Sequence, residues 1–300
     1  MTAPSTAQGA ILVTGAGGLA ASAVVRAFVQ SGQPVRNPAK AARFAAFPLV
    51  EVVEGDMARP ETLTRALAGV DRALLASSPD PHIVEVQTAF IDAAAKSGVQ
   101  HIVKFSGLSA ADVDSTFVFA DMHAKIEQHL ERSGVGWTHL RPSQFMTEYL
   151  REWPTILAQG ALFLPLQDAR LVPVDVVDVA RAARLLLTTP GHAGKTYAMS
   201  GPEALSMTEI AERVTDAVGR ETRYVAVTRE QRKQALLAAG VPPFFVDALD
   251  AQAGERLRGA ESVVHPETHT ALGIRPTTFA EFARRNAGAF LGELAYVGLT

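Results

Sequence analysis

Short apolar runs alternate with amphipathic stretches through the first half of the chain. Ile11 to Thr14, Val50 to Val53, Ala73 to Ala76, His101 to Phe105 and Trp137 to Leu140 are runs of strand length. Between them, Leu19 to Gln30, Pro60 to Leu67, Pro81 to Lys96 and Phe119 to Arg132 repeat apolar residues every three or four positions and predict helices. The prolines at 60 and 81 stand at helix starts, where a missing N–H costs little. Strand and helix in alternation predict an α/β fold, a doubly wound parallel sheet covered on both faces. Past Pro142 the rhythm loosens. A compact run at Leu171 to Val179, a strand at Lys195 to Ser200, a helix at Met207 to Val218 and a helical pair over Glu230 to Leu257, broken at Val241-Pro242-Pro243, predict a smaller C-terminal α/β lobe. The expected division is a disordered N-terminus over 1–9, a main domain over 10–150, and a substrate-side lobe over 151–300 from which about 171–190 returns to the main domain.

Composition narrows the classes. Of the 300 residues 48% are hydrophobic and 20% charged, enough for a sizeable core. A net charge of -3 without a basic run argues against nucleic acid. The absence of cysteine removes disulfides and thiolate chemistry, and no His or acidic cluster has metal-ligand spacing. No apolar run approaches the ~20 residues of a membrane helix, so the expectation is a cytoplasmic protein, monomeric or homodimeric.

Cofactor chemistry is concentrated where the first strand meets the first helix. Gly15-x-x-Gly18-x-x-Ala21, with Gly17 and Leu19 inside the same turn, is the kind of glycine loop that lets backbone and helix N-terminus approach a pyrophosphate. The second strand, Gln33-Pro34-Val35-Arg36, is short and carries no acid for the ribose of NAD. Arg36 and Lys40 instead favour the extra phosphate of NADP. Ser77 and Ser78 follow the strand ending at Ala76, and Lys104 and Ser106 close the next one, all at the carboxyl edge where ligands collect. Asp56, after Gly55 at the third strand's end, reads as a cap ahead of Pro60.

Thr14-Gly15-Ala16-Gly17-Gly18, Arg36-Asn37-Pro38-Ala39-Lys40, Gly55-Asp56 and Leu140-Arg141-Pro142-Ser143-Gln144-Phe145-Met146 together resemble the NmrA-like, atypical short-chain dehydrogenase family. Lys195-Thr196-Tyr197 is similar to a strand of its quinone, triphenylmethane-dye and azo-dye reductases. The resemblance implies a Rossmann-like domain holding NADP(H) beside a small lobe, with Asp56 next to the adenine as the alternative to its capping role. Phe119-x-x-x-His123-x-x-x-Glu127 resembles the family's Tyr-x-x-x-Lys-x-x-x-Glu helix, so Phe119 stands in the place of the catalytic tyrosine and His123 in that of the lysine. A slipped register would put Lys125 and Asp121 there instead. Phenylalanine cannot deliver a proton, which leaves His123 or water, with Ser106 as a contact to the acceptor. Phe145, Met146, Tyr149 and Trp153 offer an apolar slot for a ring substrate, although core packing explains half of them equally well.

The reading is an NADPH-dependent reductase passing hydride to a small aromatic or quinonoid acceptor, such as a quinone or an azo or triphenylmethane dye. The alternative is a non-catalytic NADP(H)-binding redox sensor that acts through a protein partner.

Overall fold

The computed structural model describes residues 9–32, 35–38 (as backbone), 50–112 and 114–293. In chain order its elements begin with strand β1 (Ala10–Val13), helix α1 (Leu19–Gln30), β2 (Val35–Pro38), β3 (Val50–Val53), α2 (Leu63–Leu67), β4 (Val70–Leu75), α3 (Ile83–Lys96), β5 (His101–Phe105), α4 (Val118–Arg132) and β6 (Gly136–Pro142). They continue with α5 (Trp153–Gln159), β7 (Ala161–Leu164), β8 (Arg170–Leu171), α6 (Val176–Thr188), β9 (Lys195–Met199), β10 (Leu205–Ser206), α7 (Met207–Val218) and β11 (Arg223–Ala226). Helices α8 (Arg229–Ala238), α9 (Pro243–Leu257), α10 (Glu267–Leu272), α11 (Phe279–Arg285) and α12 (Ala287–Phe290) complete the chain.

The main sheet has the order β3-β2-β1-β4-β5-β6-β9. Each adjacent pair from β3 through β6 runs parallel, which is the Rossmann-like, doubly wound arrangement. Its order reverses between β1 and β4, and in sheets of this kind ligands collect beyond the strand ends at such a reversal. Helix α1 forms because Ala21, Val24, Val25 and Phe28 recur at helical spacing and are all buried. Gly32, at φ +70, lies just past its end.

The chain divides into two compact units. The first takes the described residues of Met1–Phe105, Lys125–Leu140 and Ala183–Thr196; the second takes Ser106–Ala124, Arg141–Ala182 and those of Tyr197–Thr300. Segments 106–124 and 141–150 therefore group with the second unit. Residues 1–8 lie outside the described residues, while Gly9 donates its N–H to Asp71 Oδ2 at 2.8 Å.

The second unit has its own core. Met207, Ile210 and Val214 of α7 join Phe279, Phe282 and Phe290 in one buried cluster, each fully buried side chain contributing roughly 1.5–3 kcal/mol. Its helices start on designed-in chemistry: Ser206 with Glu209, Thr228 with Gln231 and Thr278 with Glu281 form reciprocal capping boxes. Asp175 and Asp178, both buried, tie down the start of α6. Asp175 accepts from Val177 N–H and pairs with Arg285, and Asp178 accepts from Thr277 N–H at 2.7 Å.

Candidate functional site

In the first unit the turn after β1 is glycine-rich and anchored by one hydroxyl. The Thr14 hydroxyl donates to the carbonyl of Ala76 at 2.7 Å and accepts that residue's N–H at 2.9 Å, locking the ends of β1 and β4 together. Gly15 follows at φ +65, and a Cβ there would lie 2.5 Å from Ala76 O. Only glycine fits. Gly18 donates to Gly15 O at 2.8 Å and caps α1 in an ordinary extended conformation, and a Cβ on it would stand 3.2 Å from Gly15 O. Gly17 is exposed, Leu19 opens the helix, and the first turn of α1 carries no acidic residue. A bare turn beneath the positive end of a twelve-residue helix fits the pyrophosphate of a dinucleotide.

The other expected cofactor residues are placed as follows. Ser77 is half-buried and Ser78 exposed; the Cα of Ser77 is 3.4 Å from the point a Gly15 Cβ would occupy, so the serines border the glycine turn. Asp56 accepts from Ala58 N–H at 3.0 Å and pairs with Arg59, closing the turn ahead of Pro60, but its side chain does not cap the short helix that starts there, whose N-cap is Arg59. Lys104 is fully buried, with Nζ donating to Phe105 O at 3.0 Å. It stands in a charged interior that also holds Glu127 and His139. Burial holds the His139 imidazole below its ordinary pKa, with the nearby Lys104 charge acting in the same direction and Glu127 and Glu131 opposing. The backbone of Arg36 pairs with Leu12 of β1, while its side chain and all of Lys40 lie outside the described residues.

In the first unit Gln87 escaped the sequence reading. Gln87 of α3 is 1% exposed; its amide nitrogen donates to Ser77 Oγ at 2.8 Å, and its Oε1 is buried with no hydrogen-bond partner among the described residues. The signal was present. Ile83, Gln87, Phe90, Ile91 and Ala94 form the buried face of α3, and a glutamine in such a face needs polar work.

In the second unit, Ser106 follows β5 directly. It is 7% exposed, and its hydroxyl has no partner among the described residues. Phe119, also 7% exposed, packs in an aromatic set: edge to face on Phe117 at 5.7 Å and Phe244 at 5.8 Å, and stacked on Phe245 at 6.3 Å. His123 is half-buried one turn further along α4. Asp121 and Lys125 are exposed, so the slipped register would turn both toward solvent.

The four expected substrate residues separate. Met146 and Tyr149 are 1% and 2% exposed inside the second unit's core, where Tyr149 meets Phe279 edge-on at 5.3 Å and burial pushes its phenol pKa up. Phe145 is half-buried, bridged to Val174. Trp153 is 37% exposed and covers Gly292. Among the described residues no group of His, Asp or Glu could hold a metal, and no helix is long and apolar enough to cross a membrane.

Fold and turn define a Rossmann-like protein with a dinucleotide-type phosphate loop. The NmrA-like family matches residues 7–283, and the chain belongs to that family. It is 36% identical over 288 residues to an NAD(P)H azoreductase of Xenophilus azovorans, covering 93% of this chain and 99% of that protein. Among solved structures it is similar to a Citrobacter sp. triphenylmethane reductase complexed with NADP(H), at TM-score 0.83 and 25% identity over 92% of this chain and 99% of the other. The Escherichia coli quinone oxidoreductase QOR2 complexed with NADPH matches at TM-score 0.83 and 28% identity, with the same coverage.

Proposed function

We propose that the chain is an NADPH-dependent reductase that passes hydride to a conjugated acceptor, a quinone or an azo or triphenylmethane dye. Membership of a family whose similar members are named azoreductase, triphenylmethane reductase and quinone oxidoreductase supports the reaction class. The observation that carries the acceptor class is Phe119, an apolar ring sealed among three others at the position of the usual proton donor.

The first unit holds the cofactor through its glycine turn and the N-terminus of α1, with Ser77 and Ser78 beside that turn. NADPH supplies a hydride when bound. Reduction of a quinone to a hydroquinone, or of an azo bond to a hydrazo group, consumes that hydride and one proton. The Phe119 ring supplies neither. The proton comes from water or from the His123 imidazole. The unpartnered Ser106 hydroxyl is a donor for an acceptor oxygen or nitrogen as negative charge develops. A conjugated acceptor spreads the incoming charge over its ring system and needs less from either group. The sensor reading is less supported, since the three relatives are all named as reductases or oxidoreductases.

The test is NADPH oxidation at 340 nm with benzoquinone, naphthoquinone, an azo dye and a simple aryl ketone. Turnover of the first three and not of the ketone is expected; tight NADPH binding with no oxidation by any of them defeats the reading.

A further inference from the structure

Phe119 is not alone. Phe117, just before α4, and Phe244 and Phe245, in the first turn of α9, surround it, with Phe244 and Phe245 edge to face at 5.4 Å. Phe119 is buried, but the other three rings stay half-buried. None belongs to the core cluster around α7 and α11. Three half-buried phenylalanines in ring contact around a buried fourth keep apolar area accessible in one place, and gathered apolar surface marks recognition of an apolar partner.

The same helix also fixes the backbone that carries two of the rings. Glu255, in the last turn of α9, is 5% exposed, and its Oε1 accepts from Ser115 Oγ at 2.6 Å, Phe117 N–H at 2.9 Å and Thr116 Oγ1 at 3.1 Å, as well as from Thr116 N–H. Burial raises its pKa, but the accumulated donors prevail and hold the carboxyl below its ordinary value, as an ion. Phe244 and Glu255, eleven residues apart, lie on one helical face with Ala248 and Ala251 between them. Segment 115–119 is thus pinned to α9 by a carboxylate at one end and by ring contacts at the other. On an adjacent face, Arg229 of α8 forms a bidentate pair with Asp250 and lies over Gly254, where a Cβ would be 3.1 Å from its Nη1.

We infer that Phe117, Phe119, Phe244 and Phe245 form the aromatic wall of the acceptor site, suited to fused-ring acceptors, and that Glu255 is the positioning residue that keeps this wall assembled. This rests on the reductase reading. Stacking and edge contacts favour extended π systems over single rings, so a naphthoquinone gains more from the wall than a benzoquinone does. Glu255 does not touch the acceptor; it sets where Phe117 stands.

The test uses the full-length protein and two readouts, equilibrium dialysis of 1,4-naphthoquinone and 1,4-benzoquinone without cofactor, and KM and kcat for both with NADPH. The double variant Phe244→Leu/Phe245→Leu keeps apolar volume. It should weaken naphthoquinone binding and raise its KM roughly tenfold, change benzoquinone by less than about threefold, and leave NADPH affinity unaltered. Glu255→Ala should reproduce that selective loss, and Glu255→Gln, whose amide oxygen still accepts the same N–H groups, should restore most of it. An unchanged naphthoquinone-to-benzoquinone ratio in the folded double variant overturns the wall. Equal losses for both quinones and NADPH in Glu255→Ala, not restored by glutamine, overturn the positioning role. Failure of the reductase reading shows separately, as wild-type protein that binds naphthoquinone through these residues yet oxidises no NADPH.

Discussion

The glycine turn separates two demands that one motif usually merges, and Gly15→Ala against Gly18→Ala measures them. An alanine at Gly15 must adopt φ +65, a left-handed strain of roughly 1 kcal/mol for a residue with a Cβ. Its Cβ would also meet Ala76 O at 2.5 Å, where ordinary contact begins at 3.4 Å, so the strand ends must part by the difference, 0.9 Å. The same displacement would stretch the Thr14 hydroxyl contact to Ala76 O from 2.7 Å to 3.6 Å and disturb the 2.9 Å bond from Ala76 N–H. Two hydrogen bonds at about 1 kcal/mol each plus the strain give a loss of about 3 kcal/mol, a melting shift of roughly 5 °C for a chain of this size. Gly18 has an ordinary φ of -83, and its added Cβ asks Gly15 O to yield only from 3.2 Å. Gly18→Ala should therefore cost under about 1 kcal/mol, yet place a methyl group where the pyrophosphate approaches. Thermal denaturation and NADPH fluorescence titration of both variants give the answer. Gly15→Ala should lose stability and cofactor together, and Gly18→Ala cofactor alone. A Gly15→Ala protein that melts within about 2 °C of wild type refutes the packing argument.

Three further outcomes follow from the same structure. Phe119→Tyr should give no aryl-ketone reduction and a thermal stability lower by about 1–3 kcal/mol, because its hydroxyl enters a set of phenylalanine rings; ketone turnover by this variant would contradict it. Arg285→Ala should cost about 1–3 kcal/mol in denaturant unfolding, since it removes the guanidinium from the fully buried side chain of Asp175; an unchanged midpoint would count against it. His101, desolvated and facing Arg72 and His192, has its pKa lowered to about 4. The unfolded chain therefore binds a proton that the folded chain refuses between pH 6.5 and about 4, and stability falls as pH drops through that window. An NMR titration showing His101 protonated at pH 6 would refute this.

The first unit was largely legible because its elements are local. Helix α1 spans the predicted Leu19–Gln30, and each expected strand appears, since periodic burial and glycine stops specify such segments within a few residues. The second unit was legible only in pieces. Strands β7 and β11 pair across some sixty residues, and β8 with β10 across about thirty-five, as two-stranded ladders too short to show a period. Met146 and Tyr149 illustrate the limit for the site. Apolar residues after a strand end look the same whether they line a slot or fill a core, and only the partners Met207 and Phe279 decide. Phe244 and Phe245 were missed for the converse reason, as a helix start far along the chain from Phe119.

The substitution at Phe119 changes meaning once its neighbours are known. A phenylalanine that merely replaced a tyrosine would leave a hole in an otherwise polar catalytic centre, and a buried hydroxyl nearby would be costly. Here the ring is one of four, while the Ser106 hydroxyl, buried in the same unit, has no partner among the described residues. Such a surface stabilises a flat apolar acceptor by contact area and offers little to a small carbonyl compound, which would lack both stacking and a phenolic acid. Specificity then arises from two terms that act in the same direction. Ring contact raises affinity for conjugated acceptors, and charge dispersal within those acceptors removes the need for the proton donor whose place Phe119 occupies.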